Sequence, residues 1–111
     1  MIFDYSLDDY LELRRALTPQ ELAIAEGLVW ELMDEWMYRW HRTWERGLVS
    51  EILVFAGNLK SLGEERSVSL LILFGRELEK AIRDFDILLI DKYMKSYPDM
   101  IRILGGKHDH A

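Results

Sequence analysis

The fold is decided by one stretch of the chain, residues 18–47, which reads TPQELAIAEGLVWELMDEWMYRWHRTWERG. It opens with Thr18 as a predicted N-cap, Pro19 at the first helical position and Glu21 closing a capping box. It ends at Gly47, and glycine is the residue type that most often follows the last turn of a helix. The sequence therefore predicts a long helix from Pro19 to about Arg46 that serves as the spine of a helical domain.

The apolar residues of this predicted helix form two stripes. The first contains Leu22, Ala25, Val29, Leu32, Trp36 and Trp40, and the second contains Trp30, Met33, Met37 and Trp44. A helix that faces a single core does not easily bury both stripes, so one of them needs another cover. A short terminal helix, a second copy of the chain and a different partner are the three alternatives. The candidate oligomer or partner surface is Trp30, Met37, Tyr38 and Trp44.

The remaining segments also repeat at helical spacing, and no stretch alternates with the period of a half-buried strand. Ser6 is the predicted cap of a short first helix over Leu7–Leu17. After the spine helix, the sequence predicts a helix Leu48–Leu62 ended by Gly63, a helix capped by Ser67 and reaching about Asp84, and a helix Ile87–Ser96 capped by Asp86, with Pro98 restarting a short turn through Leu104.

Short connections make consecutive helices antiparallel neighbours. The predicted fold is therefore an all-α, antiparallel up-down bundle of about four main helices with short terminal helices. Residues 1–104 are expected to form a single domain, and Gly105-Gly106 is expected to begin a flexible tail over residues 105–111.

Composition narrows the classes of function. The net charge of -6 would repel a phosphate backbone, which argues against nucleic-acid binding. The chain has no cysteine, so disulfides and thiolate metal sites are excluded. Its apolar runs are too short to cross a bilayer, and acidic residues such as Asp4 and Asp8 stand where a signal peptide is basic. These features predict a cytoplasmic protein.

No motif in the sequence indicates an enzyme, a cofactor or a metal site. There is no nucleophile–histidine–acid set, glycine-rich phosphate loop or metal-binding helix motif. His41 lies between arginines and aromatic residues of the spine helix and reads as an ordinary, partly exposed residue. His108 and His110 have a spacing that metals can use, but they follow two glycines and lack further ligands.

The second half of the chain, from Leu48 to Ile101, resembles histidine-containing phosphotransfer (HPt)-like domains found at the C-termini of bacterial hybrid sensor histidine kinases. The resemblance depends on the order and spacing of several short elements: Phe55-Ala56, Leu59-Lys60, Leu62-Gly63, Gly75-Arg76-Glu77-Leu78, Phe85-Asp86-Ile87 and Tyr97-Pro98. It implies a role in two-component signal transduction, with a receiver or histidine kinase domain as the protein partner.

The position of the phospho-accepting histidine is occupied by Gly57. Glycine cannot accept a phosphoryl group, so the resemblance implies a non-catalytic docking module in which Ala56, Gly57 and Lys60 form the partner-docking face. Two interpretations of Gly57 remain open, namely close packing of two helices and a small-residue spot that a partner approaches. The alternative function is a structural oligomerisation bundle, such as a homodimer, that uses the Trp-rich helix.

Overall fold

The computed structural model describes residue 12 and residues 14–105 of the chain, and it confirms the predicted all-α bundle. The described residues form four long helices. α1 consists of Pro19–Glu31, a π-helical turn Leu32–Trp36 and Met37–Arg46; α2 is Val49–Arg66, α3 is Ser69–Arg83 and α4 is Ile87–Leu104. Most of the predicted helix Leu7–Leu17 and the tail from residue 106 onward lie outside the described residues.

Both predicted ends of α1 are confirmed. The Thr18 hydroxyl accepts a hydrogen bond from the Glu21 backbone N–H at 3.1 Å, and the Glu21 carboxylate accepts one from the Thr18 N–H. Gly47 ends α1 with a left-handed φ of 66°, which glycine adopts without steric cost. The feature that the sequence did not predict is the π-helical turn Leu32–Trp36. Its wider backbone rotates the following turns relative to the preceding ones.

The predicted end of α2 at Gly63 is wrong. Gly63 is buried inside the helix, and a Cβ atom at this position would lie 2.7 Å from the backbone nitrogen of Ile72 in α3. The helix continues to Arg66 and is ended by Ser67, which adopts a left-handed φ of 60°. Gly63 therefore permits a close approach of two helices, and a serine takes the strained position that the sequence pattern assigned to glycine.

The prediction that Ser67 is the N-cap of α3 is therefore wrong. The N-cap is Val68, whose side chain cannot accept a hydrogen bond. The acceptor comes from α1 instead, because Glu21 Oε2 binds the Ser69 backbone N–H at 3.0 Å and the Ser69 hydroxyl at 2.6 Å. These two hydrogen bonds hold the pKa of Glu21 below its ordinary value. One carboxylate thus caps two helices.

Asp86 caps α4 as predicted, accepting a hydrogen bond from the Leu89 N–H at 3.1 Å. The predicted break after Ser96 is wrong, since α4 runs through Pro98 to Leu104. Pro98 has no N–H for the carbonyl of Met94 one turn earlier. The indole N–H of Trp40 in α1 donates to that carbonyl at 2.7 Å, so a tertiary contact supplies the missing donor.

An aromatic cluster joins all four helices at the centre of the bundle. Tyr97 of α4 is fully buried, and its ring centroid lies 6.0 Å from Trp40 of α1, 5.3 Å from Phe55 of α2 and 5.9 Å from Phe74 of α3. Burial raises the pKa of the Tyr97 phenol far above its ordinary value. The cluster ties the helices together because each of them contributes at least one ring to it.

The four helices contact one another unequally. α2 and α3 form the most extensive pair, α3 packs against α4, and α4 packs against both halves of α1. α2 is contacted mainly by the Met37–Arg46 half of α1. The bundle is therefore tight on its α2–α3 side and open on its α1–α2 side, and the two candidate sites lie on these two sides.

Candidate functional site

The predicted docking face around Gly57 lies on α2, beside α3. Gly57 and Lys60 are partly exposed, whereas Ala56 is fully buried between the helices. The backbone carbonyl of Ala56 is 2.7 Å from the position of a Cβ atom on Gly75 of α3. Ala56 is thus part of the helix interface, and the prediction that it contacts a partner is corrected on this point.

Lys60 is already paired within the molecule. Its Nζ atom donates to Glu79 Oε1 of α3 at 2.8 Å, and Glu79 is only 8% exposed. A Cβ atom on Gly57 would lie 3.4 Å from the other carboxylate oxygen, Oε2, of the same residue. The Glu79 carboxylate thus lies directly beside Gly57, which has no side chain to cover it. An approaching phosphoryl group would therefore meet a lysine whose charge is already offset by this carboxylate.

Close packing of two helices was one interpretation of Gly57, but the glycines that permit it are Gly63 and Gly75. Cβ atoms on Gly63 and Gly75 would lie less than 3.0 Å from backbone atoms of the opposite helix. The contact at Gly57 would be an ordinary one, because 3.4 Å is a normal van der Waals distance. Gly57 is thus not required for packing, and its lack of a side chain leaves a shallow notch on the surface.

The Trp-rich candidate surface is divided by the structure. The side chains of Trp30 and Tyr38 are 76% and 67% exposed. Met37 and Trp44 are partly buried and pack against the core. The π-helical turn Leu32–Trp36 lies between Trp30 and the other three residues, and among those three only Tyr38 is mostly exposed. The four residues therefore do not form one continuous surface.

The turn between α3 and α4 carries an exposed apolar tip. In the sequence, this segment was noted only as the Phe85-Asp86-Ile87 element of the resemblance to HPt-like domains. Phe85 is 80% exposed, and Ile87 and Leu88 are also exposed. Phe85 has a φ of 54°, which is uncommon for a bulky residue and reflects local backbone strain.

The histidines do not form a site within the described part of the chain. His41 is exposed, and its Nδ1 atom lies 3.5 Å from Glu45 one turn further along α1. His108 and His110 lie outside the described residues. No group of three or more metal-ligating side chains occurs among residues 12 and 14–105. Over the same residues, no helix combines the length and apolar character needed to cross a membrane.

Sequence reasoning missed a groove between α1 and α2 with a volume of about 730 Å³. Its lining residues are Glu35, Trp36, Tyr38, Arg39, Arg42, Thr43, Arg46, Glu51, Val54, Phe55 and Asn58. The arginines at positions 39, 42 and 46 recur at helical spacing, which is a signal that the sequence contained. The sequence did not show that α2 leaves this face of α1 uncovered.

Comparisons with known proteins identify no relative. No protein-family model, no curated protein and no solved structure matches the chain.

Proposed function

We propose that this chain is a non-catalytic signal-transduction module of a two-component system in the cytoplasm. It docks a receiver or histidine kinase domain through the partly exposed surface of Gly57 and Lys60, without carrying phosphate. The observation that supports this proposal best is the environment of position 57. No side chain is present there, and the nearest ionisable group is the Glu79 carboxylate, 3.4 Å from a Cβ atom placed on Gly57.

A phosphotransfer site needs a nucleophile and positive charge around the transferred phosphoryl group. Here the nucleophile is missing, and the charge of Lys60 is offset by its ion pair with Glu79. A protein surface can still use the notch, because a small residue beside a fixed ion pair lets a partner backbone or side chain approach closely. These features favour docking over transfer.

The test is an NMR titration of the isotope-labelled chain with receiver domains from the same organism. We expect the amide signals of Gly57 to Lys60 to shift on binding. Gly57→Arg should abolish the shifts, because the long side chain fills the notch, while Arg83→Gln on exposed α3 surface serves as the control. Incubation with phosphorylated receiver should leave no acid-labile phosphate on the chain. Shifts confined to α1, or phosphate on His41, would contradict the proposal.

A second candidate function is a structural oligomerisation bundle that uses α1. The exposure of Trp30 and Tyr38 favours it, because large aromatic side chains that are mostly exposed are enriched at contact surfaces. Sedimentation at several concentrations separates the two functions. A chain that stays monomeric at high concentration removes the oligomerisation function, and a dimer that Trp30→Ser dissociates supports it.

A further inference from the structure

The α1–α2 groove has an apolar floor and a mixed wall. Its floor is formed by Trp36 and Phe55, which are buried and whose ring centroids lie 6.2 Å apart, and the guanidinium of Arg39 lies 4.8 Å from the centre of the Trp36 ring. Tyr38 and Val54, which are 67% and 61% exposed, stand on opposite sides of it. An apolar floor between two helices is the usual geometry for receiving an amphipathic segment of another protein.

The charges that line the groove are not balanced. Arg39 pairs with Glu35 at 2.7 Å, and Arg46 pairs with Glu51 at 2.9 Å. Arg42 lies between them in sequence and has no acidic partner among the residues that the structure describes. On a chain with a net charge of -6, this groove therefore offers a cation without an acidic partner in the described part of the chain, beside exposed apolar side chains.

We propose that the α1–α2 groove binds an acidic, amphipathic segment of a partner protein, with a carboxylate of that segment on Arg42 and an apolar side chain between Tyr38 and Val54. A guanidinium binds a carboxylate through two parallel hydrogen bonds, which fixes the register of the segment. The contact lies on a different face of α2 from Gly57 and Lys60, so it does not depend on the proposed receiver docking.

Charge distinguishes this occupant from others. In a two-fold symmetric dimer through the groove, the Arg42 side chains of the two copies would be brought to the same interface and repel each other. A nucleic acid carries a phosphate on every nucleotide and would meet the carboxylates of Glu35 and Glu51, which also line the groove. A carboxylate of an acidic segment matches Arg42, which has no acidic partner among the described residues, and the apolar residues of the segment match the exposed side chains of Tyr38 and Val54.

The proposal is tested with two synthetic helical peptides that share a leucine repeat, one carrying glutamates and the other lysines at the remaining positions. NMR titration of the full chain should show shifts of the Val54 amide and of the Asn58 side-chain amide with the glutamate peptide only. Arg42→Gln should weaken that binding about fivefold, as expected for one partly exposed ion pair, and Arg83→Gln should leave it unchanged. Added salt should weaken it further.

A pair of substitutions at Val54 separates binding from folding. Val54 is exposed, so both Val54→Asp and Val54→Lys should fold. The aspartate should weaken binding of the glutamate peptide and the lysine should strengthen it, whereas a purely structural role would move both variants in the same direction. Equal binding of the two peptides, or binding of neither, overturns the proposal. Groove signals that shift with protein concentration alone overturn it in favour of a second copy.

Discussion

α2 contacts its two neighbours in different ways. On the side of α3, Gly63 and Gly75 bring the two backbones together so closely that a single added methyl group would overlap with main-chain atoms. On the side of α1, the helices diverge into a groove and meet through the Trp36–Phe55 ring contact and the ion pair of Arg46 with Glu51. The α2–α3 interface therefore depends on close contact between the two backbones, whereas the α1–α2 interface depends on contacts between individual side chains.

The largest expected effect is on the α2–α3 side. Gly75→Ala places a Cβ atom 2.7 Å from the Ala56 carbonyl and 2.8 Å from the Lys60 nitrogen, so the helices must separate. We expect a loss of about 2–3 kcal/mol in the free energy of unfolding, measured by urea denaturation. Gly57→Ala is the matched control on the same pair of helices. It should stabilise the protein by about 0.5–1 kcal/mol through helix propensity. Equal effects of the two variants would show that the close approach is not a constraint.

The next effect concerns the attachment of α1 to α4. Trp40→Phe removes the donor to the Met94 carbonyl, and we expect the free energy of unfolding to fall by about 1–2 kcal/mol because a buried acceptor loses its partner. In a Pro98→Ala background the restored backbone N–H can bind that carbonyl, so the same substitution should cost less. Thermal unfolding of the four variants measures the coupling. A cost that is independent of residue 98 would contradict this account.

The fourth helix contributes Tyr97 to the aromatic cluster that joins all four helices. The hydroxyl oxygen of Tyr97 is buried and has no hydrogen-bond partner among the described residues. Tyr97→Phe keeps the ring contacts and removes this oxygen, so stability should stay equal or rise by up to about 1 kcal/mol. Denaturation in urea checks the sign. A clear loss of stability would indicate a hydrogen-bonded water at the hydroxyl.

The contact between Glu21 and Ser69 should depend on pH. The pKa of Glu21 is lowered in the folded chain from an ordinary value of 4.5, so its contribution is present above that value and is lost as the pH falls through the lowered pKa. Glu21→Gln should cost about 1 kcal/mol near neutral pH, as the loss of a helix cap does. The difference between the two proteins should shrink in acid. A difference that does not change with pH would assign the effect to packing.

The smallest effect is expected in the groove. Tyr38→Ser and Arg42→Gln should each change the free energy of unfolding by less than about 0.5 kcal/mol, because these side chains are exposed. A large loss from either variant would mean that the groove wall supports the fold, and the contrast between the two sides of α2 would disappear.

Much of the helical architecture could be predicted from local signals. The capping box of Thr18 and Glu21, the end of α1 at Gly47 and the Asp86 cap were correctly predicted, because each depends on groups within a few residues along the chain. The wrong predictions all involve a distant partner. Gly63 lies inside α2 against Ile72 of α3, α3 is capped by Glu21 of α1, and the Met94 carbonyl one turn before Pro98 accepts a hydrogen bond from Trp40.

The same division between local signals and contacts with distant residues applies to the candidate sites. The sequence identified Gly57 and Lys60 and the absence of a histidine between its matching neighbours, since these are facts of residue identity. It could not show that Ala56 is buried, that Lys60 is paired with Glu79, or that Arg42 lines a groove without an acidic partner among the described residues. The sequence by itself determined that the chain forms a helical bundle, because periodicity and caps act locally. Only the tertiary structure decided which helices touch and which face stays open, because those depend on side chains far apart in the chain.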